Sequence, residues 1–160
     1  MQLQEDTAIM GRVRTITTKA GTNEVIRVSE WSKNRVMLGT NTGKSLILQR
    51  LVGINTYTLN IGHGDIGTGS TAPVDGNTQL QTAVARVAVT NPSFASNVAS
   101  LFFFYSDAGL ANGTYREFGS FVGGTASINT GQIFQRALFG VAYVKASGED
   151  STVQLDLTVS

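Results

Sequence analysis

Residues 151–160 read "STVQLDLTVS": Val153, Leu155, Leu157 and Val159 are apolar, and Thr152, Gln154, Asp156 and Thr158 between them are polar. Successive side chains of a β-strand point to opposite faces, so this period of two predicts a strand with one buried and one wet face. The same kind of segment recurs upstream. "VAVTNPSF" (87–94), "SNVASLFFFYSD" (96–107), "GTYREFGSFVGG" (113–124) and "GQIFQRALFGVAYVKAS" (131–147) are apolar runs bounded by Asn, Gly, Pro and Asp. Near the start, "MGRVRTITTKAGTNEVIRVSE" (10–30) predicts a hairpin, with Val13 and Ile16 on one strand and Ile26 and Val28 on the other.

Roughly seven to nine strands at intervals near ten residues predict a mainly β fold, an antiparallel β-sandwich or jelly-roll-like barrel with one or two short helices. The 160 residues suffice for a single β-rich domain over 1–160, whose first thirty residues form an N-terminal hairpin or arm free to contact neighbouring subunits. Eighteen glycines against two prolines fit short strands joined by tight turns. The absence of cysteine removes disulfides, thiolate chemistry and cysteine-based zinc sites.

One segment argues for a different fold. "VMLGTNTGKSLILQRLVG" (36–53) places an apolar run before a glycine-rich turn with Gly-Lys-Ser and an amphipathic stretch, as a phosphate-binding loop does. That loop needs four residues between its first glycine and Gly-Lys-Ser, whereas Gly39 and Gly43 enclose only Thr40, Asn41 and Thr42. It also needs a parallel sheet with crossover helices, for which this chain has no room. The segment therefore predicts a short helix capped by Asn41 or Thr42, with Leu46, Ile47, Arg50 and Leu51 at helical spacing, Lys44 solvated and Gly53 past its end. Strand-like alternation resumes through Tyr57, Leu59 and Ile61, and "TQLQTAVAR" (78–86) suggests a helical turn or two.

Charge is uneven. Residues 1–50 carry eight Lys/Arg against four Asp/Glu, and the remainder four against seven. The basic third, with Arg12 and Arg14, suits either an acidic neighbouring subunit or a solvated face; Trp31 is its one aromatic residue, so base stacking is not indicated. Catalytic constellations are thin. His63 is the single histidine, "HGD" with Asp65 reads as a turn, and Glu149 with Asp150 reads as a hydrated turn pair. The sequence predicts no enzyme, no metal site and no cofactor. "NGT" at Asn112 matches a glycosylation acceptor, but the N-terminus "MQLQEDTAIMGRV" lacks the basic and apolar character of a signal peptide, and "VASLFFFY" (98–105) is too short to span a bilayer. A protein made in the cytoplasm is expected.

The stretch "GHGDIGTGSTAPVDGN" (62–77) predicts a long loop, and its length marks a functional or interface loop. Its glycines Gly62, Gly64, Gly67 and Gly69 permit positive φ and close backbone approach, so that with Pro73 the loop can lie against a neighbouring subunit. Arg86 and Glu117 either form a buried Arg–carboxylate pair that ties two segments together or lie separately at a sheet rim.

Several stretches carry a resemblance in the right order. "LNIGHGDIGTGSTAPVDGNTQLQTAVAR" (59–86), "NGTYREFGSFVGG" (112–124), "GQIFQRALF" (131–139) and "VAYVKASGEDSTVQLDLTVS" (141–160), preceded by "NRVMLGTNTGKSLILQRLVG" (34–53), resemble elements of small structural proteins of tailed-bacteriophage virions. The chain departs from that pattern at Ser120, where leucine is usual, and near Val84, where an acid is common before Arg86. The resemblance implies a virion location after synthesis in the host cytoplasm, and a homo-oligomer, a trimer, with no direct nucleic-acid or membrane contact. Its partners would be the major capsid protein, for a decoration or cement role, or tail and neck proteins, for a collar or fibre-attachment role. A carbohydrate-binding module is a third reading, with Trp31, Tyr57, Tyr105 and Tyr115 as candidate platforms.

Overall fold

The computed structural model describes residues 8–160. Nine strands and one helix follow in order: β1 Ile9–Lys19, β2 Val25–Val28, β3 Ser32–Val36, α1 Gly43–Leu51, β4 Ile61–Gly67, β5 Ala83–Ala95, β6 Val98–Tyr105, β7 Gly113–Val122, β8 Gln132–Lys145 and β9 Glu149–Val159. Eight of the strands close into an antiparallel β-barrel in the spatial order β1, β3, β8, β7, β4, β5, β6, β9, with β9 returning to β1. Closure leaves no long unpaired edge around most of the wall. Every pairing is antiparallel, so no crossover helix is needed.

The wall is not equally strong all round. β1 and β9 are in register from Ile9↔Val159 to Lys19↔Glu149. β3 closes the ring through Arg12↔Lys33 and Val13↔Ser32 on one side and Asn34↔Ala137 to Val36↔Gln135 on the other. The hairpin expected within 1–30 forms as β1 and β2; β1 is a stave of the barrel, β2 pairs with it outside the ring, and residues 1–7 of that expectation lie outside the described residues. Ile26 and Val28, the apolar members of the second hairpin strand, are each 48% exposed, and all four residues of β2 lie at the surface.

Inward-facing residues fill the barrel, as an eight-stranded barrel requires. Val13, Ile66, Phe103, Phe118, Ala137, Val153 and Leu155 are fully buried there, with Tyr105, Tyr115 and Tyr143 beside them. A second apolar group, Val36, Leu46, Val122 and Phe134, closes one end, where α1 brings Leu46 and Ile47 against the strand ends. Leu51, at helical spacing with Leu46 and Ile47, is 76% exposed, because only the first turns of α1 meet the barrel.

Four local expectations are corrected. The polar face of β9 is not wet: Gln154 and Asp156 are 8% and 5% exposed, since Arg14 and Arg12 of β1 cross the strand pair to them and Trp31 lies over both guanidiniums. The segment "GHGDIG" is not loop but β4, paired with β5 and β7. A Cβ on Gly64 would stand 2.5 Å from the Phe103 ring and 2.8 Å from the Phe118 ring, so the glycine that reads as a turn signal is the seat of two core aromatics. Finally, residues 78–82 form no helix, and strand structure begins at Ile61 rather than Tyr57.

Candidate functional site

The outer surface of β4, β7 and β8 holds the densest polar chemistry of the described residues. Here two long loops, residues 68–82 and 123–131, lie on the barrel wall, and each is held by a buried ion pair.

Glu117 of β7 faces outward and is fully buried under the first loop. Its Oε1 accepts from the backbone N–H groups of Gly69 (3.0 Å) and Thr82 (2.7 Å), and its Oε2 from that of Gln81 (3.0 Å). Arg136 of β8 donates to Oε2 through Nε at 2.9 Å, and its Nη2 stands 2.7 Å from the same oxygen. The same guanidinium donates to Thr71 O and Asn77 Oδ1, both at 2.9 Å, so one cation and one anion saturate each other and both ends of the loop. Leu80 of this loop then packs on Met37, Phe121 and Ile133, an apolar patch outside the barrel interior.

Arg86 of β5 holds the second loop. It stands directly opposite Asp65 of β4, with Nη2 donating to Oδ2 at 3.0 Å, and the two side chains are 1% and 0% exposed. Its Nη1 donates to Thr130 O and Thr130 Oγ1 at 2.8 Å and to Thr125 O at 3.1 Å, and its guanidinium lies over the Phe121 ring. Burial pushes the Asp65 carboxyl above its ordinary range; the hydrogen bond and charge of Arg86 act against that rise.

Arg86 and Glu117 are thus both buried and both ion-paired, but not to each other. Asp65 and Arg136 are the partners, and Asn77 and Thr130 complete the anchors. One signal is present in the sequence: Arg86 and Arg136 interrupt largely apolar runs, where a charge needs a buried partner, while Asp65 in a glycine-rich stretch and Glu117 beside Arg116 carry no such mark.

The remaining interface candidates divide. Gly62, Gly64, Gly67 and Gly69 all have ordinary negative or extended φ rather than the positive φ expected of them. Gly67 and Gly69 belong with Glu117, because a Cβ on either would come within 2.9 Å and 2.3 Å of its carboxylate. Gly64 serves the interior, Gly62 faces open space, and Pro73 is half-buried within the first loop. Arg12 and Arg14 lie elsewhere on the wall, over Trp31.

The Gly-Lys-Ser segment does not present a phosphate cradle. Thr42 caps α1, its N–H donating to Ser45 Oγ at 3.0 Å, while the N–H of Ser45 donates to Thr42 O and that of Lys44 to Met37 O. The amides that would hold a phosphate are already engaged. Gly43 has φ +42°, and a Cβ there would lie 2.1 Å from Met37 O, so this glycine serves a tight backbone turn.

Ionisable groups elsewhere are also paired. Lys145 is buried and donates to Asp107 at 2.6 Å and to Asn112 Oδ1 at 3.2 Å. Arg27 holds Glu149 through both carboxylate oxygens at 2.7 Å. Asp150 accepts from the N–H groups of Gly21 and Asp107 at 2.8 and 2.7 Å, so this expected hydrated pair is buried and bonded. His63 and Asp65 lie on a strand, not in a turn, with the His63 Nδ1 enclosed and unpartnered. Among the described residues no three His, Asp or Glu side chains converge as a metal site would, and no helix is long and apolar enough to cross a membrane. Of the candidate sugar platforms, Tyr105 and Tyr115 are 1% and 3% exposed and face the interior, out of reach of a glycan.

The hydrogen bond from Lys145 holds Asp107 below its ordinary value near 3.8, and that from Arg27 holds Glu149 below its ordinary value near 4.5. A carboxyl with a depressed folded-state pKa adds stability above its unfolded value that is lost as pH falls through the folded one. Stability is therefore expected to decline on acidification from about pH 4.5 downward. In Glu149→Gln this acid-dependent loss should be smaller, as read by denaturant midpoints at pH 5, 4 and 3. An unchanged pH dependence would show that the Arg27–Glu149 pair does not couple to folding.

Exposed apolar residues concentrate on α1 and the segment after it: Leu48, Leu51, Val52 and Ile54 are 60%, 76%, 74% and 51% exposed. Lys44 and Arg50 flank them, and residues 31–64 contain no acid at all.

Comparison with protein-family models, curated proteins and solved structures gives no match to this chain.

Proposed function

We propose that this protein is a structural component of a tailed-bacteriophage virion, foremost a capsid decoration or cement protein that stabilises the shell through subunit contacts. The proposal rests on the ordered resemblance of roughly residues 31–160 to such proteins, and one structural observation carries it further. The apolar surface of Leu48, Leu51, Val52 and Ile54, flanked by Lys44 and Arg50, is of the kind that marks a protein contact. The paired and buried state of Asp65, Arg86, Glu117 and Arg136 suits a scaffold that holds loop shape under load better than a catalytic cleft, whose ionisable groups must meet a substrate. A compact barrel without a repetitive shaft favours decoration over a fibre, and a tail, collar or fibre-attachment role is the second reading. In either role the protein acts as a closed symmetric oligomer, a trimer.

The test is the copy number of this protein in purified virions, measured by quantitative mass spectrometry against the major capsid protein. Copies close in number to the capsid protein are expected. A handful per particle would move the protein to the neck or tail, and absence from virions would overturn the virion assignment.

A further inference from the structure

One layer of the barrel interior is polar. Ser120 of β7 and Gln135 of β8 are cross-strand partners, and Gln135 is in turn opposite Val36 of β3. Asn34, two residues before Val36, shares its face. Ser120 and Gln135 are 0% exposed. Asn34 Nδ2 donates to Gln135 Oε1 at 3.0 Å, and this is the one bond the three side chains make among themselves. Asn34 Oδ1, Gln135 Nε2 and Ser120 Oγ are all enclosed and without a protein partner.

Three such groups clustered in one layer of a barrel run against the rule that buried polar atoms are hydrogen-bonded. Gly11 of β1 makes room for one of them, since a Cβ there would stand 2.2 Å from Asn34 Nδ2. On β4 the residue opposite Ser120 is Gly64, whose open side is filled by the Phe103 and Phe118 rings. Above the layer lie Phe103 and Phe118, and below it Val36, Val122 and Phe134.

We infer that this layer binds one internal water molecule, held by Asn34 Oδ1, Gln135 Nε2 and Ser120 Oγ. The donor and acceptor count selects the ligand. Gln135 Nε2 can only donate, Asn34 Oδ1 can only accept, and the Ser120 hydroxyl does either. A cation would face the Gln135 amide hydrogens and an anion the Asn34 carbonyl, whereas a water accepts from the first, donates to the second and satisfies the third. Buried waters typically make about three hydrogen bonds of this kind. Asn34 also lines a cleft of about 710 Å³ between β1 and β3, together with Ile9, Gly11 and Val36, and this is the route of exchange.

The position gives the water a task. β3 closes the barrel through two paired residues on one side and three on the other, and the water ties β3 to β7 and β8 where the ladder is shortest.

The test is ¹⁷O magnetic relaxation dispersion on the wild-type protein, joined to a high-resolution crystal structure. The expected result is a long-lived water within about 2.6–3.2 Å of all three atoms. Gln135→Met, which fills the layer with an apolar side chain, should lower the count of long-lived waters by one and Ser120→Ala should shorten its residence time. A dry layer in the wild type, or Asn34 and Gln135 turned to satisfy each other with Ser120 bonded to a backbone carbonyl, overturns the inference. The wild-type measurement decides the matter even where a variant does not fold.

Discussion

Glu117→Gln is expected to lower the melting temperature by on the order of 10 °C, the largest effect of any single isosteric change in this protein. Removing one member of a buried ion pair costs about 3–5 kcal/mol, because the remaining charge is left in a medium that cannot solvate it. For a chain of this size each kcal/mol corresponds to roughly 2–4 °C. Here the charge left behind is Arg136, whose side chain is 1% exposed. The substitution also sets an amide NH₂ against backbone donors, where the carboxylate accepts from Gly69, Gln81 and Thr82. The loss should appear first in the 68–82 loop, as faster amide hydrogen exchange there than in β9. Thermal unfolding followed by circular dichroism measures the first effect. Glu117→Gln combined with Arg136→Met should be less destabilised than the sum of the two single variants, since the double change removes both charges. Additive losses would mean that the pair is not the anchor of this loop.

Arg86→Met should destabilise by a similar amount, about 3–5 kcal/mol at neutral pH, but with a pH dependence that the first variant lacks. Asp65 is 0% exposed, and burial already pushes its carboxyl upward against the pull of Arg86. Without Arg86 the upward push is opposed only by lesser influences, first among them the hydrogen bond from the Asn129 backbone. A carboxyl whose folded-state pKa lies above its unfolded value contributes stability that is fully present below the unfolded value and is lost as pH rises through the folded one. The penalty of Arg86→Met is therefore largest at neutral pH and shrinks as pH falls toward the ordinary value of 3.8. Asp65→Asn introduced into Arg86→Met should restore part of the stability at pH 7 and remove the pH dependence. Urea unfolding of the three variants at pH 7 and pH 5 reads both predictions. A double variant no more stable than Arg86→Met would show that the loss comes from the three acceptors of the 123–131 loop and not from the stranded carboxylate.

The residues of these two anchors show how far the sequence could be read. The sequence could say that Arg86 and Glu117, if buried, needed partners, and it left a sheet-rim position as the alternative. Which partners they have depends on register: Asp65 stands opposite Arg86, and Arg136 stands opposite Gly119, two residues along β7 from Glu117 on the same face. A difference of one residue in either pairing would turn these side chains to the other face. The reversed reading of β9 has the same origin. Its period of two was plain, but the burial of Gln154 and Asp156 depends on β1 lying alongside with Arg12 and Arg14 opposite them. Residues 62–67 failed for another reason. Glycine weakens a strand signal whether it marks a turn or makes room for a neighbour, and at Gly64 the neighbours are Phe103 and Phe118, more than thirty residues away in sequence.

Local chemistry along the chain determined the mainly β character, the β1–β2 hairpin and a short helix capped at Asn41 or Thr42, because periodicity and capping act within a few residues. The closure of eight strands into a barrel, the ion-pair partners, the polar layer at Asn34, Ser120 and Gln135 and the exposed face of α1 were decided by the tertiary structure. Each depends on which strands become neighbours and in what register, and that is a property of long-range packing which no short stretch of sequence contains.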